Sequence, residues 1–242
     1  MKKLLALTMI VLGMVIVNLS CYAFESSDDS LSKDSPYIKA SDKNGEYHIR
    51  PDGTPLYKKR FKEVGDFHEG VAWVQDENKK FFHIDSTGNA IYKQRYLKVY
   101  DFVNGYAIVE SELYSFHIKK NGQRAYQKNF LEVRNFFDGL AAVEDNNGEC
   151  FHIVDSTGNP AYKERYTSVG DFHEGYAWVE SSEDGKFFHI DRKGVPLYSN
   201  RYDQITDFRD STATAKDGRI TILLSIKEDK TVQRLIILTP QK

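Results

Sequence analysis

Two dipeptides in this chain have the composition of a catalytic pair. His68-Glu69 lies in "DFHEGVAWVQ" (66–75) and His173-Glu174 in "DFHEGYAWVE" (171–180). An imidazole beside a carboxylate can act as a general base or bind a metal. A zinc-protease helix needs a second His four residues after the first. Ala72 and Ala177 stand there instead, and each pair sits beside a glycine in a segment that leads into a strand. Three further copies of the surrounding pattern carry Val103-Asn104, Phe137-Asp138 and Arg209-Asp210 at the same place. A catalytic pair need occur only once, so the expected role is structural. Beyond that, His68, Glu69, His173 and Glu174 are candidates for a shared surface-binding feature.

Five more histidines fall in the pattern aromatic-His-Ile: His48, His83, His117, His152 and His189. A metal site needs imidazoles converging to about 2.0–2.1 Å from one ion. Equivalent positions of stacked repeats lie about 10 Å apart. These rings are therefore expected between layers, hydrogen-bonded to a neighbour such as the Asp two residues on, and no metal or cofactor is expected. Trp73 and Trp178 share a repeat position with Ile108 and Ala142. Core packing is the expected role; a platform for sugar or peptide is the alternative that keeps both as binding candidates. Cys150 occupies the position of Phe81, Ser115 and Phe187, which reads as a small buried hydrophobe and not a nucleophile. There is no phosphate-binding glycine loop, zinc-ligand cysteine set or serine elbow. No catalytic residue is assigned, and the chain is not expected to be an enzyme.

The elements that position these residues form a repeat. The five histidines are 35, 34, 35 and 37 residues apart. After each come a Gly, a Tyr four beyond it (Tyr57, Tyr92, Tyr126, Tyr162, Tyr198), a second aromatic, an aliphatic and a Phe, ending in a pair such as Ala72/Val74 or Ala177/Val179. Most length variation falls between that pair and the next aromatic-His-Ile. A constant length is held by packing, whereas a variable one is a surface tip. The two flanking segments therefore read as a hairpin with its tip at 75–80, 110–115, 144–149 or 180–186. The Asp and Gly after each "FHI" suit a turn, and the chain is expected to reverse into a third short strand such as "VPLY" (195–198). "YTSVGDF" (166–172) is either a bulged strand or a 3₁₀-like connector, and "DFHEG" is expected to be a turn. Both faces of the hairpin strands carry apolar residues, so adjacent repeats must cover one another.

The expected fold is all-β: five repeats of about 35 residues with terminal half units and a C-terminal β-hairpin at 220–239. Equal short meanders favour a small β-propeller; an open β-solenoid is the alternative.

At the N-terminus, Lys2 and Lys3 precede an apolar run, Leu4–Val17, that is too short to span a membrane comfortably and fits a secretion signal. The expected organisation is a signal peptide at 1–23, a polar leader at 24–36 and a repeat domain at 37–242. The protein is then exported, periplasmic or secreted, with lipidation of Cys21 as the alternative. A chain cut after Ala23 retains Cys150 alone and can form no internal disulfide. It carries 31 basic and 35 acidic residues. No basic block marks a nucleic-acid footprint, and long-range steering of an anion is not expected.

The pattern "EGYAWV", "DGKFFHIDRKG", "PLY" and "RYDQITDF" resembles the bacterial WG-repeat family, over residues 37–222. The Trp-Gly pair itself is absent: Phe187-Phe188 takes its place, and His189 stands where the family usually has Tyr. The resemblance implies an all-β repeat domain and, by association, a module that binds a protein or another surface ligand. It carries over no catalytic residues. A carbohydrate- or cell-envelope-binding module is the second reading.

Overall fold

The structure is a computed structural model that describes residues 35–154 and 157–237. Among the described residues every regular element is a β-strand. The N-terminal sheet is a hairpin of β1 (Ile38–Asp42) and β2 (Gly45–Ile49). Four three-stranded antiparallel sheets follow in chain order. They are β3 (Glu63–His68), β4 (Val71–Gln75) and β5 (Phe81–Ile84), then β6 (Lys98–Val103), β7 (Tyr106–Glu110) and β8 (Ser115–Lys119). Next come β9 (Glu132–Val133), β10 (Leu140–Glu144) and β11 (Cys150–Val154), then β12 (Ser168–Val169), β13 (Tyr176–Glu180) and β14 (Phe187–Asp191). The last sheet has four strands: β15 (Gln204–Ile205), β16 (Thr212–Asp217), β17 (Ile220–Ile226) and β18 (Val232–Ile237). The fold is all-β, a tandem series of small meanders.

The chain divides into two compact bodies. The first holds residues 35–146 and 152–160 of the described chain, the second 147–151 and 161–237. Each has its own core. In the second, Tyr202, Phe208, Ala213, Ala215, Ile222 and Leu224 form a buried cluster.

Local chemistry explains each meander. In the five sheets after the N-terminal hairpin, the first two strands join through a two-residue turn. Both of its central residues have positive φ, as in Glu69 (49°) and Gly70 (82°) or Asp210 (49°) and Ser211 (58°). That is a type I′ turn, whose twist matches the flanking strands. Phe67 and His68 belong to β3, so the turn in "DFHEG" is confined to Glu69-Gly70. The ambiguous segment before it is a bulged strand. Val64 faces Val74 and Phe67 faces Ala72, so Gly65 and Asp66 together oppose Trp73.

The expected third strand after "FHI" is not a regular strand. It touches the preceding strand at two isolated bridges, Ile190↔Pro196 and Phe187↔Tyr202, and puckers between them. The arginine ahead of the second aromatic explains the pucker. Arg201 Nη1 donates to the carbonyls of Tyr198, Ser199 and Asn200 at 3.3, 3.2 and 3.0 Å, while its guanidinium lies 3.6 Å from the Phe188 ring centre. Arg95 and Arg165 repeat the arrangement over Phe82 and Phe151. Carbonyls gathered around a cation cannot also extend a ladder.

Candidate functional site: the joints between repeats

The "FHI" histidines are buried bolts. His83 Nε2 lies 2.9 Å from the Tyr100 carbonyl, and Nδ1 lies 2.6 Å from the Tyr92 hydroxyl. A carbonyl can only accept, so Nε2 carries the proton and Tyr92 donates to Nδ1. His48 makes the same pair of bonds with Gly65 and Tyr57, His117 with Arg134 and Tyr126, and His189 with Thr206 and Tyr198. In each case the tyrosine is nine residues on and the carbonyl seventeen on, in the next repeat. The partner is therefore not the Asp two residues on. That Asp caps its own turn: Asp85 Oδ1 accepts from the Thr87 and Asn89 amides. Each ring also packs on a Phe of the next repeat, His83 on Phe102 at 4.7 Å and His189 on Phe208 at 4.3 Å between ring centres. Burial pushes His83, His117 and His189 down to about 4 and lowers His48. The same burial raises the partner tyrosines Tyr57, Tyr92, Tyr126 and Tyr198. Both members stay neutral in ordinary buffers.

The His-Glu pairs are clasps between consecutive turns. Glu69 Oε1 and Oε2 accept from the Gly105 amide at 3.1 and 3.2 Å, and Gly105 is the matching turn residue of the next repeat. Glu174 Oε2 accepts from the Ser211 amide at 2.9 Å, again the matching position. The histidines act one strand away. His68 Nε2 lies 3.4 Å from Asp101, and His173 Nε2 lies 3.5 Å from Asp207. Burial holds the Asp101 carboxyl above the usual range, with His68 opposing the shift. Lys120 adds a donation to the Glu69 carbonyl at 2.6 Å, and Arg209 donates to His173 Nε2 at 3.0 Å. Where Asn104 replaces the Glu, its side-chain amide donates to the Phe136 carbonyl at 2.8 Å, still reaching the next repeat. The structure thus brings His68 and Glu69 to one joint in the first body, and His173 and Glu174 to one joint in the second.

The tryptophans pack over glycines. A Cβ on Gly65 would sit 2.1 Å from Trp73 Nε1, and one on Gly170 would sit 2.3 Å from Trp178 Nε1. Trp178 is buried and Trp73 half-buried, and each ring meets a phenylalanine across the strand, Phe187 or Phe81, at 5.7 or 5.8 Å. The remaining sheets put larger residues at the glycine's place and smaller ones at the tryptophan's: Tyr100 with Ile108, Arg134 with Ala142, Thr206 with Thr214. Within one chain, the two positions trade volume.

Cys150 is wholly buried in β11. The expectation about an internal disulfide turns on Cys21, which lies outside the described residues. The segment expected to be a signal peptide and most of the expected polar leader also lie outside the described residues. Among the described residues no group of three or more His, Cys, Asp or Glu could hold a metal ion, and no helix is long and apolar enough to cross a membrane.

Comparison with known proteins agrees with this anatomy. The family described as "WG containing repeat" matches residues 49–80, 84–112 and 153–187. The matched stretches take in less than half of the chain, and over them the chain is similar to WG repeats. Each matched segment begins at the Ile of an aromatic-His-Ile strand (Ile49, Ile84 and Ile153) and takes in the turn that follows it. No curated protein matches the chain. Among solved structures it is similar to the computationally designed protein Ika8, at 14% identity over 88% of this chain and 72% of that one, with a TM-score of 0.46. It is also similar to Hsv2p of Kluyveromyces lactis (11% identity, 85% and 82% covered, TM-score 0.47). A third is the WD40 β-propeller domain of Doa1 (12%, 86% and 81%, TM-score 0.36).

Sequence reasoning missed the arginines. Their signal was present in Arg60-Phe61, Arg95-Tyr96, Arg165-Tyr166 and Arg201-Tyr202. It is broken once, at Asn129-Phe130. There Arg124 supplies the guanidinium from five residues upstream, 3.7 Å over Phe116, and Asn129 accepts its Nη2 at 2.6 Å.

Proposed function

We propose that the chain is an exported, non-enzymatic binding module that presents its hairpin tips to a protein or other surface ligand. The observation that supports this is how the reactive side chains are used. The His bolts and His-Glu clasps bond to their neighbours within the fold, and Cys150 and the tryptophans are packed. What varies from repeat to repeat is the tip between the second and third strands. The tips at 75–80, 110–115 and 180–186 are held by their own backbone and short side chains, as where Asp76 Oδ1 accepts from the Asn78 and Lys80 amides. A loop that builds its own turn can change sequence without disturbing the strands beneath it. Export is supported by Lys2, Lys3 and the apolar run that follows; lipidation at Cys21 is its alternative, and loss of palmitate labelling in Cys21→Ser would distinguish the two. Exchanging the tips 75–80, 110–115, 144–149 and 180–186 should abolish partner capture and leave the melting temperature within a few degrees. Capture that survives all four exchanges would refute the proposal.

A carbohydrate-binding reading rests on Trp73, which is half-buried beside Phe81. Loss of glycan or peptidoglycan retention in Trp73→Ala, with retention intact in the tip exchanges, would favour it.

A further inference from the structure

The small net charge conceals a strong internal separation. In the first body, the turn and puckered segment at the end of each "FHI" strand occupy residues 50–60, 85–95 and 119–129, the last counted from Lys119 at the end of β8. Together they carry ten Lys or Arg and two Asp or Glu. The rest of 35–146 carries seven basic and fourteen acidic residues. Along the chain these groups are diluted by about 25 intervening residues, which is why no basic block is visible there. The fold makes them contiguous. Each puckered segment runs along the outer edge of its sheet, bridged to the "FHI" strand. Each also touches the next: Lys59 Nζ donates to the Gly88 carbonyl and to Asn89 Oδ1, both at 2.8 Å. Gln94 Oε1 lies 3.0 Å from where a Gly122 Cβ would be, and Lys128 Nζ donates to Asn159 Oδ1 at 2.7 Å.

Three of the ten cations are paired with carboxylates: Arg60 with Asp42, Arg95 with Asp76 and Lys120 with Glu69. Among the described residues none of the other seven lies within 4.0 Å of one. Lys58, Lys93 and Lys119 are exposed, one per segment. The free charges are mainly lysine ammoniums, which act as point charges toward phosphate. None of the exposed large hydrophobic residues falls in the three segments, so the stripe offers neither a wedge for a lipid bilayer nor a ring for base stacking.

We propose that this stripe binds a linear, phosphate-bearing polyanion laid across successive sheet edges. A chain of regularly spaced phosphates fits a row of mobile cations, and binding releases its condensed counterions. The surface meets the hairpin tips at the Arg95–Asp76 pair, so a tip exchange that keeps Asp76 tests the tips apart from the stripe.

The test uses the purified chain and long-chain inorganic polyphosphate, with binding followed by fluorescence anisotropy. Binding should weaken at least about tenfold between 50 and 200 mM salt. The variant Lys58→Glu/Lys93→Glu/Lys119→Glu should bind at least about tenfold more weakly. The control Lys62→Glu/Lys79→Glu/Lys80→Glu changes the net charge equally but lies outside the stripe, and should stay within about threefold of the native chain. Circular dichroism and melting should match for all three, because the three stripe lysines make no side-chain hydrogen bond or ion pair among the described residues and the control loses only the exposed Lys62–Glu77 pair. Equal binding by the stripe variant, equal loss in both variants, or no binding by the native chain would overturn the proposal. So would capture by phosphatidylglycerol vesicles without capture by polyphosphate.

Discussion

Lowering the pH from 7 toward 4 should unfold this protein through its histidine bolts. Three of them, His83, His117 and His189, are held near 4 by burial, against 6.5 for an exposed imidazole. These are groups whose folded value is depressed. Their contribution is therefore fully present above pH 6.5 and is lost as the pH falls toward 4, because the unfolded chain takes up protons that the folded chain refuses. Each histidine should cost about 3 kcal/mol across that window, and the three together about 10 kcal/mol, the scale of a whole domain's stability. Near pH 5 unfolding should take up two to three protons, a slope of about 3–4 kcal/mol per pH unit. Asp101, Glu132, Glu144 and Glu180 act in the opposite sense. Burial raises them, so the folded chain holds their protons more tightly, and they offset part of the loss as the pH falls. Urea denaturation at half-unit steps from pH 7.5 to 4.5 measures the total. His117→Gln isolates one bolt: it should be less stable at pH 7.5 by about 1–3 kcal/mol, yet lose about one proton from the slope. Stability that is level from pH 7.5 to 5, or a His117→Gln slope equal to the native one, would refute the reasoning.

Three further outcomes follow from the packing. Gly122 has φ +77°, and a Cβ there would lie 2.4 Å from Tyr92, so Gly122→Ala should cost about 2 kcal/mol or more, read by chemical denaturation. Gly170→Ala should be comparably destabilising because its Cβ meets Trp178, and Gly170→Ala/Trp178→Ile should recover most of the loss; a double-mutant cycle with no coupling would count against the volume trade. Phe188 is buried beneath the Arg201 guanidinium, and Phe188→Ala should cost about 3–5 kcal/mol; a loss below about 1 kcal/mol would mean that the ring is not core.

The repeat was legible because equivalent residues recur at nearly constant spacing, and with it came the meander and the burial of both sheet faces. The partner of each histidine was not legible. Its tyrosine is nine residues away and its carbonyl seventeen, and neither distance belongs to a local motif. The puckered edge was hidden for a similar reason: "VPLY" has strand composition, but three carbonyls turn to Arg201 instead of to a neighbouring strand. Glu69 and Glu174 looked like half of an active site because a sequence shows a carboxylate without showing the amide it reaches 36 or 37 residues later.

By itself the amino-acid order determined the unit: its length, its turns, its apolar alternation and its variable tips, all of which depend on neighbours within about a dozen residues. The tertiary structure decided what the polar side chains do, because stacking places residues of successive repeats within hydrogen-bonding distance. That stacking turned the His-Glu pairs from possible catalysts into clasps. It also gathered lysines scattered over 80 residues into one cationic edge, a property of arrangement that a nearly neutral composition cannot reveal.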